Sequence, residues 1–203
     1  MTSCCEKKAC ANEALAQRQT RILVVVLVIN AVMFFVEMIS GLVAESVSLT
    51  GDSLDMLGDA VAYGSSLYVV RRGADAKARS ARLKGWIILG SALFVSASAI
   101  YRFFYVEIPD HEIMGGIGTL ALAANLLCLF LLTRHKNDDV NMSAVWLCSR
   151  NDIISNTSVL AAAGLVFWTG TPWPDLVVGL ALTVLFTKSA LRVFADARAN
   201  SFP

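Results

Sequence analysis

Six runs of mostly apolar residues, each near the length of a bilayer-spanning helix, constrain this chain more than any other feature. They cover residues 22–44, 47–70, 85–105, 114–133, 140–168 and 175–194. A helix needs about 20 apolar residues to cross roughly 30 Å of hydrocarbon. No water meets exposed backbone N–H and C=O groups there, so a spanning run must satisfy them internally, as a helix does. The runs predict an all-α integral membrane protein with six transmembrane helices. Composition agrees, since 56% of the 203 residues are hydrophobic and 16% are charged, against about 25% charged in soluble domains.

Basic residues fall in alternate connections. Residues 1–21 carry Lys7, Lys8, Arg18 and Arg21, residues 71–84 carry six lysines and arginines, and residues 134–139 carry Arg134 and Lys136. Segments 45–46, 106–113 and 169–174 carry none. Lysine and arginine in short loops mark the cytoplasmic side, so both termini are expected in the cytosol of a plasma (inner) membrane protein. The expected organisation is a cytosolic, cysteine-containing tail over 1–21, a six-helix transmembrane transport domain over 22–197, and a short tail over 198–203. The first 21 residues are too polar for a signal peptide. A net charge of +1 and no long basic block argue against nucleic acid as a partner. The lipid bilayer is the expected surroundings, with residues 71–84 at its headgroups.

The charges inside the runs carry the chemistry. The second run holds Asp52, Asp55 and Asp59, and an ionised carboxylate deep in a bilayer costs at least a few kcal/mol. Their spacing of i, i+3 and i+7 puts all three on one face of a helix. The fifth run holds Cys148, Arg150, Asp152 and Asn156. Asp55 and Asp59 are spaced i, i+4, as are Cys148 and Asp152. In the alternating topology the four lie within roughly 10 Å of one another in depth, at 1.5 Å of rise per residue. Two carboxylates from one helix and a thiolate and carboxylate from the other match the donors of a tetrahedral zinc-type ion. The thiolate shifts preference toward soft ions and away from magnesium or calcium.

The stretch Ser46-Val47-Ser48 with Asp52, Asp55-Met56-Leu57-Gly58 and Asp59 resembles the second transmembrane helix of the cation diffusion facilitator family. Trp146-Leu147-Cys148 with Asp152 and Asn156 resembles its fifth, where histidine is usual at the cysteine position. The likeness covers about residues 20–197 and takes in Glu37 on the first helix and Asn125 on the fourth. It implies that Asp55, Asp59, Cys148 and Asp152 are the transport site, with Asp52 and Asn156 at its flanking polar positions. It further implies a homodimer exporting a divalent metal of the zinc, cadmium or cobalt type, generally against protons. The family's usual cytosolic carboxy-terminal domain is expected to be missing, leaving dimerisation to the membrane helices.

Such a protein is no enzyme and needs no permanent cofactor. Three carboxylates and a thiol cannot stay fully ionised in a bilayer without a cation, so the empty site is expected to hold protons and to release them to metal. A membrane metal sensor or buffer that binds without transporting is the alternative, and a proton channel a further rival. An intramembrane enzyme is disfavoured, because no Ser/His or HExxH arrangement occurs and His111 and His135 fall in loops. Cys4, Cys5 and Cys10 are either a soft-metal capture arm or reduced surface thiols. Cys128 is expected as a small core residue, and His135 as a solvated one. Arg150 is expected as a counter-charge for Glu37 or Asp152, or as a vestibule residue.

Overall fold

The computed structural model describes residues 2–69, 74–105, 107–135 and 140–199. Six helices follow in order: α1 (Thr2–Val43), α2 (Val47–Val69), α3 (Ala74–Phe104), α4 (His111–Thr133), α5 (Val140–Thr169) and α6 (Trp173–Ala199). No strand occurs among the described residues. Among the described residues, five stretches are long and apolar enough to cross a membrane: Thr20–Val43, Gly85–Phe104, His111–Thr133, Ser149–Thr169 and Trp173–Leu191. They turn large apolar side chains outward, among them Phe35, Phe94, Phe130, Phe167 and Leu191.

α2 is not among those five, because it carries the three aspartates. Its 23 residues still give a rod of about 34 Å, enough to span. It packs against α1, α3, α5 and α6, and every residue from Val47 to Leu54 is buried. The most polar span thus lies inside the bundle, and its more apolar neighbours meet the lipid.

Two helices reach further than the apolar runs. α1 begins at Thr2 and α3 at Ala74, so most of the polar leading segment and of the basic 71–84 segment is helical rather than loop. Both stretches are rich in alanine, lysine and arginine, which are good helix formers. Each also extends a helix already nucleated in its span, and elongation is far easier than nucleation.

The connections without basic residues meet at one end of the bundle. The Asp110 N–H donates to the Ala44 carbonyl at 2.9 Å, and Arg102 forms an ion pair with Glu45. The rings of Phe103 and Trp173 meet edge to face at 5.9 Å. Glu45 turns the chain from α1 into α2 with φ at 56°, a left-handed conformation that usually falls to glycine. The Ser46 N–H closes this turn on the Gly41 carbonyl at 2.9 Å.

The same end fixes the start of α2. Ser46 is its local cap, its hydroxyl accepting from the Leu49 amide at 3.1 Å. A second cap comes from α6, where Asp175 accepts from the Val47 amide at 2.7 Å and the Ser48 amide at 3.0 Å. Two glycines let α2 approach its neighbours this closely. A Cβ on Gly41 would lie 2.8 Å from the Thr50 nitrogen, and one on Gly179 would lie 2.5 Å from Val47 Cγ1.

Candidate metal centre

A cavity of about 420 Å³ opens between α2, α3, α5 and α6, and Asp55, Asp59 and Asp152 all line it. α2 contributes Asp55 and Asp59 one turn apart, and α5 brings Asp152 from the facing side. Ser91 of α3 and Ser189 of α6 add hydroxyl groups to the wall. Asp59 is 8% exposed and Asp152 7%, while Asp55 is half-buried. Cys148 lies on α5 four residues before Asp152, and its side chain is outside the described ones. Among the described residues, no three histidine, cysteine or acidic side chains stand close enough together to hold an ion. The three carboxylates share one chamber.

Tyr63, which sequence reasoning missed, holds one of these carboxylates in place. Its hydroxyl donates to Asp59 Oδ2 at 2.6 Å, and the tyrosine is buried at 1% exposure. The i, i+4 relation of Asp59 to Tyr63 on an interior helix was the signal available for it.

Asp52 and Asn156 lie outside the cavity lining but join the same two helices. The Asn156 amide Nδ2 donates to the Asp152 carbonyl at 2.9 Å and approaches Asp52 Oδ1 at 3.4 Å. Glu37 on α1 lies beside Asp52, and the next charge acting on it is Asp55. Glu37, Asp52, Asn125 and Asn156 are all buried at 1% exposure or less. Asn125 finds no hydrogen-bond partner for its amide among the described residues. Asn30 of α1, another residue not singled out from sequence, donates to the Val26 carbonyl at 2.9 Å and sits 4.0 Å from Cys128 Sγ.

Other expected residues divide. Cys128 is a core residue, packed with Leu23, Val26, Tyr63 and Leu132. His135 is buried at 6% exposure rather than solvated. In the turn after α4 the His135 N–H donates to the Leu132 carbonyl at 2.9 Å. Arg150 is exposed and lies over the Trp146 ring at 5.6 Å, so the charges bearing on Glu37 are acidic ones instead. Cys4, Cys5 and Cys10 fall within α1, with side chains outside the described ones.

An apolar helical bundle that keeps its acidic residues inward around a chamber is a multi-pass membrane protein built around charge in its interior. Residues 23–200 match the cation efflux transmembrane domain, and the chain belongs to that family, the cation diffusion facilitators. It is similar to the metal cation efflux system protein CzcD of Cupriavidus metallidurans, with 22% identity over 195 residues, 87% of this chain and 62% of the relative. The zinc transporter ZitB of Escherichia coli is 26% identical over 185 residues, 83% of this chain and 58% of ZitB. Zinc homeostasis factor 1 of Schizosaccharomyces pombe is 28% identical over 128 residues, 56% of this chain and 33% of that protein. The chain therefore spans about three fifths of the length of CzcD and ZitB.

Proposed function

We propose that this chain carries divalent transition-metal ions of the zinc, cadmium or cobalt type across a membrane in the direction of efflux. The observation that carries this reading is the cavity shared by Asp55, Asp59 and Asp152 inside an apolar bundle. Negative charge held away from lipid and open to a chamber needs a cation to offset it. The names of CzcD and ZitB, a cation efflux protein and a zinc transporter, support the same substrate class.

In this reading Asp55, Asp59, Cys148 and Asp152 are the metal ligands, while Asp52, Asn156, Glu37 and Asn125 form a polar flank around them. Metal enters by displacing protons from the ligands, because only deprotonated donors bind. Exposing the site alternately to the two sides then exchanges metal for protons. Both termini lie in the cytosol of the plasma membrane, the working unit is a homodimer, and Cys4, Cys5 and Cys10 collect soft metal at the entrance. Vesicles holding the full chain, loaded with a metal-sensitive dye and given a pH gradient, test the proposal. Zinc, cadmium or cobalt flux that follows the gradient and disappears in Asp59→Ala is the expected result. Metal binding without flux would establish the sensor or buffer reading instead.

A further inference from the structure

Glu37 and Asp52 make an arrangement that the metal ligands do not account for. They come from helices that pack together at this level, with Ser53 Oγ 3.9 Å from Met38 Sδ, are 0% and 1% exposed, and act on each other. Two ionised carboxylates cannot hydrogen-bond, since each only accepts. Accordingly, no described donor reaches either Glu37 oxygen or Asp52 Oδ2. Asn156 braces the pair from α5, yet its own Oδ1 is also without a donor. The charges bearing on Glu37 are those of Asp52 and Asp55, both on α2 and both negative. The acidic residue of α5 is Asp152, reached through Asn156.

A buried pair of carboxylates without a cation has one inexpensive remedy, a proton held between them. The metal cavity is lined by neither residue nor by Asn156, so the pair stands apart from the proposed metal ligands. One proton supplies the missing donor, because a protonated Glu37 donates to Asp52. We propose that Glu37 and Asp52, braced by Asn156, form a proton-binding site separate from the metal ligands. Asn156 links it to the metal side, since one amide contacts both Asp52 and the Asp152 backbone. The proton site stands on its own geometry. Its exchange against metal rests on the metal-ligand reading above.

Infrared difference spectroscopy of the full chain in lipid, metal-free against zinc-loaded, tests both parts. The metal-free protein should show a protonated carboxylic C=O band that is lost in Glu37→Gln, shifted in Asp52→Asn and kept in Asp59→Ala. Calorimetric zinc titration in buffers of different ionisation enthalpy should count one proton fewer released per zinc in Glu37→Gln. A band unchanged in both Glu37→Gln and Asp52→Asn overturns the proposal, as does a band removed by sodium or potassium, which would make this a metal-ion site. If Glu37→Gln fails to fold by size-exclusion profile, Asp52→Asn decides by the same two readouts. Loss of zinc binding in Asp59→Ala, or its retention, judges the metal-ligand reading independently of the band.

Discussion

Asp175 on α6 caps Ser48 at the start of α2 across 127 residues of chain, accepting from its hydroxyl at 2.5 Å and its amide at 3.0 Å. The Ser46 hydroxyl donates to the same Oδ1 at 2.6 Å. Helix amides at an amino terminus lack intrahelical partners, and inside a bundle no water replaces them. The aspartate-bearing helix is therefore pinned to α6 at the end where the basic-free connections meet. Asp175→Ala leaves these donors buried and unmet. Losing a cap costs about 1 kcal/mol, and each stranded buried donor about 1–3 kcal/mol. Unfolding in mixed micelles should show a loss of about 2 kcal/mol or more, with Asp175→Asn intermediate. Stability equal to the native chain would refute the capping role.

Tyr63→Phe removes one hydrogen bond from Asp59 and leaves the ring in place. Partners that orient a metal ligand are typically worth 10-fold to 100-fold in affinity. Zinc affinity by competition with a chelator should fall about tenfold while the melting profile barely moves. An unchanged affinity would mean that Asp59 does not ligate.

Replacing Cys148 with histidine exchanges a soft donor for a borderline one. The cadmium-to-zinc ratio of binding should drop, because thiolate favours the softer ion. If selectivity is indifferent to Cys148→His, the thiol is not a ligand.

Proton release on binding sets the sign of the pH dependence. If metal displaces protons from oxygen and sulfur ligands as proposed, the apparent zinc affinity should rise with pH. Isothermal titration at a series of pH values reads this directly, and affinity that falls as pH rises would contradict proton displacement.

Glycines separate packing from function. Gly41→Ala places a methyl 2.8 Å from the Thr50 nitrogen, and Gly179→Ala places one 2.5 Å from Val47 Cγ1. Each should destabilise by about 1–3 kcal/mol. Gly116→Ala and Gly164→Ala meet nothing within 4 Å and should be neutral or slightly stabilising, since alanine is the better helix former. Equal losses at all four sites would count against the packing at both α2 interfaces.

The number of helices and their class were legible from residues alone, because hydrocarbon permits few alternatives to a helix of bilayer length. That Asp55, Asp59 and Asp152 turn inward was legible for a related reason: charge is too costly where a span meets lipid. Helix ends were less so. α1 and α3 run on into polar sequence whose helical propensity competes with its loop-like charge, and hydropathy is blind to that competition.

The set of spans, and which of them carry acidic groups, can be read from residues alone, since both follow from local solvation. Which carboxylates share a chamber and which pair elsewhere comes from the packing of the helices. Asp52 stands three residues from Asp55, yet it meets Glu37 of α1 and Asn156 of α5, while Asp55 opens on the cavity with Asp59 and Asp152. Periodicity places all three aspartates on one face of α2. The neighbour that each meets depends on how α1, α3, α5 and α6 pack around that face, a matter of side-chain fit between segments far apart in the chain.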